Sequence, residues 1–487
     1  MASFMKIYNI AVIAHVDHGK TTLIDGMLKQ ALTFRENEAE MSMECIMDSN
    51  AQERERGITI LAKNTSVHYE NCKINIIDTP GHKDFSGEVE RVIGMADGAL
   101  LIIDSAEGPL AQTKFVLKEA FKKGLKIIVV INKVDRKDAR PQEVFAEIEN
   151  LFLQLAKNHE QLDFPVIYAI GREGKADTEL PIKSPNLKPL FDKIISYLPE
   201  ATSQTPGPFH MVIANIDYDN HIGKLAIGRI KGGGLAVGSW IKKIDSNGAE
   251  INKKIEKIYI FNGLKREEVN AAPAGEIVAI AGLDDVAIGD NLVDINAKDY
   301  EMEKIEISEP TLKMTFSANT SPIAGREGKY VTGKQLMERL LKEKESNVGL
   351  KVIANENSLG MIVAGRGELH LSVLIENLRR EGYELQVSKP EVIEKNIDGV
   401  ICEPFEEVDL EIDNQYLGFV TEEMGKRSAE MADMRDLGDN KMRLVYKIAT
   451  RAFLGFRSRL LTATHGTGLI NSDFLGYFPK IKKEFNL

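Results

Sequence analysis

Ala14-His-Val-Asp-His-Gly-Lys-Thr21 is the stretch from which the fold can be read. It follows the apolar run Ile7–Ala14 and opens a helical pattern, so it reads as a strand–turn–helix junction. A phosphate-binding loop needs glycine, four residues, then Gly-Lys-Ser/Thr. Gly19, Lys20 and Thr21 fit that pattern. The first position is Ala14, which is acceptable where its backbone stays in the β region. Such a loop turns successive backbone N–H groups and a helix N-terminus toward phosphate. Lys20 then reaches the β and γ phosphates as a point charge, and the Thr21 hydroxyl ligates Mg2+. Gly-Lys-Thr at a helix start also arises by chance, so this loop alone decides little.

Two further strand ends decide it. Ile76-Ile-Asp-Thr-Pro-Gly-His82 places Asp78 to hold Mg2+ through water and the Gly81 N–H to touch the γ-phosphate. Ile131-Asn-Lys-Val-Asp135 closes another strand. In an open α/β sheet, ligands bind beyond the carboxyl ends of the strands, so three polar clusters at three strand ends form one site. Asn132 and Asp135 set the base. A carboxylate accepts two hydrogen bonds, from guanine N1–H and the exocyclic amine. Adenine offers no such pair, which gives discrimination on the order of 10⁴-fold. The nucleotide is therefore a guanine nucleotide.

Working outward, strand candidates at Ile7–Ala14, Val67–Asp78, Gly98–Asp104, Lys126–Asn132 and Pro165–Ala169 alternate with helical stretches. This alternation predicts a doubly wound P-loop domain over residues 1–201. Thr202-Ser-Gln-Thr-Pro-Gly-Pro208 reads as a linker. Many short strands broken by glycine, as at Gly232-Gly233-Gly234 and Asn262-Gly263, predict a β-barrel over 209–300. The remainder repeats one order of elements, strand–helix–strand–strand–helix–strand, the split βαββαβ motif. Its first copy, within 305–392, has helices at Gly333–Lys344 and Glu368–Glu381 and strands at Ser358–Ala364 and Tyr383–Val387. Its second, within 400–480, has helices at Gln415–Lys426 and Phe453–Leu461 and strands at Met442–Thr450 and Gly468–Phe474. The fold class expected is multidomain α/β.

Of 487 residues, 43% are hydrophobic and 28% charged, ordinary for a globular chain with several cores. The net charge of −11 argues against simple global attraction to a polyanion. Yet nine Lys and Arg against two acids from Lys441 onward give that end a local +7, so a nucleic-acid-facing surface and a merely solvated face are both open. Cys45, Cys72 and Cys402 are widely spaced, which suits neither a zinc site nor a disulfide framework and fits a reducing cytoplasm. The runs Ala99–Ile103 and Ile127–Ile131 are too short to span a bilayer and suit strands buried on both faces. The sole tryptophan, Trp240, is expected to pack inside the barrel.

Met47-Asp-Ser-Asn-Ala-Gln-Glu-Arg-Glu-Arg-Gly-Ile-Thr-Ile-Leu-Ala-Lys-Asn64 resembles the first switch of the TypA/BipA family of ribosome-associated GTPases. Its core, Arg56-Gly-Ile-Thr59, is shared with the wider elongation-factor group. Gly365-Arg-Gly-Glu-Leu-His370 is similar to a segment of elongation factor G, and the resemblance covers essentially the whole chain. It implies a P-loop GTPase domain, a translation-factor β-barrel and two ferredoxin-like domains, the last similar to the C-terminus of elongation factor G. It implies that Thr59 closes over Mg2+ and the γ-phosphate, and that His82 positions the attacking water, with Lys20 completing the catalytic set. Thr21, Thr59 and Asp78 are the implied metal residues. The GTP contacts are then Asp17, His18, Gly19, Lys20, Thr21 and Thr22 of the loop, Gly81 of the second switch, and Asn132, Lys133, Asp135 and Gly171 around the base. A monovalent cation is expected near Asp17. The implied partners are GTP and GDP, the ribosome, ribosomal RNA and tRNA, with no membrane. A cytoplasmic monomer acting in large-subunit assembly and stress adaptation is the corresponding expectation.

Arg54 and Arg56 alternate with Glu53 and Glu55, which favours a solvated switch over an arginine finger. Glu368 and His370 read as a helix start without chemistry. Two departures from the family stand out. Ala169-Ile170-Gly171-Arg172 lacks the usual serine of the last guanine loop, leaving the Gly171 N–H for guanine O6 and lowering affinity. The family also continues past the second βαββαβ module, so the chain, ending at Phe485-Asn-Leu487, is expected to lack a C-terminal domain. A GTP-binding adaptor without turnover and a GTPase that drives a second reaction are the alternatives. Thr59 with His82 weighs against the first, and the paired βαββαβ modules against the second.

Overall fold

A computed structural model describes residues 5–31, 47, 51–201, 207–219, 221–297, 302–305, 309–347, 349–354, 360–438 and 440–483. Cys45, Asp48–Asn50 of the first switch, most of the 202–208 linker, Ser358 and the last residues, 484–487, lie outside the described residues. The chain forms two compact units, Met1–Ser308 with Lys342–Val348, and Glu309–Leu341 with Gly349–Leu487.

The first unit opens with a seven-stranded sheet. Its strands are β1 (Lys6–Ala14), β2 (Lys63–Tyr69), β3 (Cys72–Asp78), β4 (Gly98–Asp104), β5 (Lys126–Asn132), β6 (Val166–Ile170) and β7 (Lys175–Asp177), in the order β2-β3-β1-β4-β5-β6-β7. The five central strands run parallel, and the two edges are antiparallel. Side chains of a strand alternate between faces. Tyr8, Ile10 and Val12 of β1 pack with helices Lys20–Gln30 and Lys188–Tyr197. Ala11 and Ile13 pack on the other side with helices Ser86–Val92, Ala111–Lys122 and Pro141–Leu155. Both faces are covered, which is why β4 and β5 are nearly continuous apolar runs without alternation.

The sheet corrects one reading. Val67–Asp78 is not one strand but the end of β2, a tight turn at Glu70-Asn71, and β3. Glu70 takes the positive φ, 52°. No glycine or proline punctuates this hairpin, and the polar pair Glu70-Asn71 at its tip is the turn signal that the sequence reading passed over.

Nine antiparallel strands between His210 and Asp294 surround one core that includes Met211, Ile230, Ile241, Ile258, Ile280 and Leu292. Trp240 is 53% exposed, so it does not pack the barrel as expected. It starts the strand Trp240–Ile244, and its neighbour Ile241 takes the inward position. The barrel is fastened to the GTPase sheet by a buried polar seam. Asn9 donates to the Asp97 carboxylate at 3.0 Å and to the Gly275 carbonyl at 2.9 Å. Lys73 pairs with Glu276 at 2.9 Å and Arg229 with Asp97 at 2.7 Å, all four side chains being under 9% exposed. Burial raises the Asp97 carboxyl above its usual range, and Arg229 opposes that rise.

In the second unit, strands Leu312–Ala318, Lys351–Ala354, Met361–Gly365 and Leu385–Val387 form a sheet in the order second-third-first-fourth. Strands Val400–Asp413, Glu430–Gly438, Lys441–Ala449 and Leu469–Pro479 repeat that order. Both are the split βαββαβ arrangement expected. The last helix is broken, Thr450–Phe453 and Phe456–Ala463, because Gly455 adopts φ 73° between the pieces. The basic excess of the C-terminal stretch is largely cancelled in space. Lys441, Arg443, Arg451, Arg459 and Lys480 pair with Glu411, Asp409, Glu403, Glu423 and Glu394. Lys447 lies 3.7 Å from the Phe478 ring centroid. Among the described residues, no helix is long and apolar enough to cross a membrane. Cys72 and Cys402 are free and buried.

Candidate functional site

The site is assembled where β1, β3, β4, β5 and β6 end. The loop from β1 turns sharply, with Asp17 at φ 64° and Gly19 at φ 91°. A Cβ on Gly19 would stand 2.4 Å from Asn132 Nδ2, so glycine is required both for the backbone angle and for space. Helix Lys20–Gln30 starts directly after it. Its N-terminal N–H groups and its dipole favour an anion there.

Lys20 is 7% exposed and its Nζ donates to Thr59 Oγ1 at 2.6 Å and to Asp78 Oδ1. Three residues from separate segments thus meet. Asp78 is fully buried, and its Oδ2 has no hydrogen-bond partner among the described residues. Thr59 is 4% exposed, and Thr21 sits half-buried in the first helical turn. A buried carboxylate oxygen without a donor, beside threonine hydroxyls, suits a hard cation with oxygen ligands. Among the described residues no group of three His, Cys, Asp or Glu could hold a metal by itself. Gly81 packs against the loop backbone, where an added Cβ would lie 3.0 Å from the Ala14 carbonyl.

On the base side, Asn132 ties two segments together. Its Nδ2 donates to the His18 carbonyl at 3.0 Å, and its Oδ1 accepts the Gly171 N–H at 2.9 Å. That N–H, expected for guanine O6, therefore already has a partner and must be shared or released to meet the base. Lys133, at φ 61°, donates to the Asp17 carbonyl at 2.6 Å. Asp135 and Thr22 are exposed. The His18 ring is buried, its Nδ1 3.4 Å from the Ile102 carbonyl and its Nε2 3.4 Å from Glu107.

Two residues escaped the sequence reading. Asp104, at the end of β4, is fully buried and receives Lys133 at 2.8 Å, Arg136 at 3.1 Å and the Ala106 N–H at 2.8 Å. Burial pushes its carboxyl up, but those donors outweigh burial and hold it below the usual carboxylate range. Its position at the end of a strand, like Asp78, was the available signal. By sequence, Glu53 belongs with Arg54 and Arg56 to a solvated charged switch. The arginines are exposed, but Glu53 is fully buried. It accepts the Ile60 N–H at 3.0 Å and the Leu61 N–H at 3.3 Å and pairs with Lys63. In the second switch, His82 Nδ1 accepts the Asp84 N–H at 3.2 Å, and the His82 side chain is 10% exposed. In the second unit, Glu368 begins a helix and His370 is buried with its Nδ1 3.4 Å from the Arg366 N–H, a structural placement.

A phosphate loop, two switch segments and a guanine-side Asn-Lys-x-Asp on one sheet edge define a GTPase site, and the attached β-barrel and paired βαββαβ modules give it the form of a translational GTPase. Family models agree: that described as elongation factor Tu GTP binding domain matches residues 5–200, elongation factor G domain 2 matches 208–295, and elongation factor G C-terminus matches 400–485. The chain is 46% identical to the large ribosomal subunit assembly factor BipA of Bacillus subtilis, over 97% of this chain and 76% of that protein. It is 48% identical to the protein of that name from Haemophilus influenzae, over 97% and 76% respectively. A solved crystal structure from Thermus thermophilus shares the fold with TM-score 0.67 at 16% identity, covering 98% of each chain. The chain belongs to the TypA/BipA family of translational GTPases.

Proposed function

We propose that this chain binds GTP, hydrolyses it to GDP and phosphate, and uses the two states to bind and leave the ribosome. The observation that carries this reading is the meeting of Lys20, Thr59 and Asp78, drawn from the phosphate loop and both switches. Thr21 and Thr59 hydroxyls, with Asp78 through water, would hold Mg2+, which when bound neutralises charge on the β and γ phosphates. A monovalent cation near Asp17 belongs to the same proposal. Lys20 exchanges its carboxylate partner for phosphate oxygens, and Thr59 carries the first switch with it, an order–disorder device of the GTPase kind. His82, whose Nδ1 accepts the Asp84 N–H, orients the attacking water. Asn132, Lys133, Asp135 and Gly171 select guanine.

The relatives' name supports a role in large-subunit assembly, and with it a cytoplasmic monomer that contacts ribosomal RNA and tRNA. Stress adaptation is the physiological setting this role suggests. GTP turnover measured with and without ribosomes tests the reading. His82→Ala should leave GTP affinity nearly intact and remove the ribosome-stimulated part of kcat, since the ring acts only in the transition state. Full stimulated turnover in that variant refutes the assignment.

A further inference from the structure

We propose that Glu53 is a positioning residue that clamps Thr59 into its closed place, so that it sets the preference of the site for GTP over GDP. This rests on the reading that Thr59 closes over the γ-phosphate. The short helix Ala51–Arg56 carries Glu53 inward, fully buried. The clamp grips both neighbours of Thr59. The Ile58 N–H donates to the Glu53 backbone carbonyl at 3.2 Å. The Ile60 N–H donates to Glu53 Oε1 at 3.0 Å, and the Leu61 N–H reaches the same oxygen at 3.3 Å. The second oxygen, Oε2, takes Lys63 Nζ, which also donates to the Met47 carbonyl.

The arrangement extends to the barrel. Lys63 begins β2, and two residues further on Thr65 Oγ1 donates to the Gly263 carbonyl at 2.6 Å and Ser66 Oγ to the Phe261 carbonyl at 2.7 Å. The loop carrying Thr59 is thereby fixed at one end to the barrel through β2 and held across its turn by one carboxylate. A buried carboxylate is costly unless its oxygens are satisfied. Here Lys63 satisfies one oxygen and two backbone N–H groups of the very turn that bears Thr59 satisfy the other, so closing the turn completes the stabilisation of the charge. GDP lacks the γ-phosphate that Thr59 is proposed to meet, so the clamp acts on GTP binding alone.

The test compares Glu53→Ala, Glu53→Gln, Thr59→Ala and the Glu53→Ala/Thr59→Ala double variant. The measurements are fluorescent GDP and a fluorescent non-hydrolysable GTP analogue, titrated in Mg2+. GDP affinity, expected to stay within about twofold of the parent, also reports folding. Affinity for the analogue should fall about tenfold or more in Glu53→Ala, the scale of a lost hydrogen bond to a charged group. Glu53→Gln should lose less, because its amide oxygen still accepts the Ile60 N–H, and it carries the test if the alanine variant does not fold. The double variant should be no weaker than Thr59→Ala. An unchanged ratio of the two affinities in Glu53→Ala, beside a lowered one in Thr59→Ala, overturns the clamp alone. Equal losses for both nucleotides, or additive losses in the double variant, also overturn it. An unchanged ratio in Thr59→Ala removes the reading beneath it, and the clamp falls with that reading.

Discussion

Asp104→Asn removes a buried charge that holds Lys133, and it should weaken nucleotide binding. The wild-type carboxylate is fully buried and meets Lys133 at 2.8 Å and Arg136 at 3.1 Å, while accepting the Ala106 N–H at 2.8 Å. Asparagine keeps the shape and one acceptor for Ala106, but turns an amide donor toward two cations. Each charge-assisted bond lost is worth about 1.5–3 kcal/mol where it is desolvated. Lys133 is 31% and Arg136 37% exposed, so both can turn to water and the loss must be discounted. A net cost of about 2 kcal/mol follows, concentrated on the loop that carries Asp135 and on the Lys133 bond to the Asp17 carbonyl. Affinity for GDP and GTP should therefore fall together, by at most about 30-fold, and the melting temperature should fall by several degrees. Titration with both fluorescent nucleotides and a thermal melt provide the readout. The sign of the pH effect follows from a depressed carboxyl: its contribution is present above its unfolded pKa and is lost as pH falls through the lower folded value. The parent should thus lose more stability than the variant on acidification below the usual carboxylate range, read in the thermal melt. Unchanged affinity for both nucleotides in Asp104→Asn refutes the reasoning.

Asp135→Asn should exchange guanine for xanthine preference, because asparagine supplies an amine for xanthine O2 and an oxygen for N1–H; unchanged GTP affinity by fluorescent titration would sink this. Thr21→Ala should weaken Mg2+-dependent nucleotide binding, since a cation that demands near-ideal octahedral oxygen geometry loses a ligand. Calorimetry showing the same Mg2+ dependence in variant and parent removes Thr21 from the metal site.

Much of the candidate site is legible along the chain because its parts are local. Gly19-Lys20-Thr21, Asp78 to His82 and Asn132 to Asp135 each follow an apolar strand, and ligands bind beyond strand ends in a sheet of this class. The repeated βαββαβ order was legible for the same reason, since periodicity is carried by neighbours. Glu53 was not legible: followed by Arg54, Glu55 and Arg56 it reads as one charge in a solvated run, and only the return of the chain at Ile60 and Lys63 surrounds it with donors. Asp104 likewise needs Lys133, 29 positions later in the sequence, to acquire a role.

The sequence by itself determined the class of the domains, the order of the strands' polar ends and the base the site selects. Those depend on residue type and short spacing, which neighbouring residues encode. Tertiary structure decided what surrounds each group. It folded Val67–Asp78 back at Glu70, left Trp240 in solvent, and engaged the Gly171 N–H with Asn132. It also set acids from other strands against the basic C-terminal stretch, so that an excess visible in sequence is largely absent in space. Burial and hydrogen-bond partners are properties of residues brought together over long separations, and charge is felt at a distance in space and not along the chain.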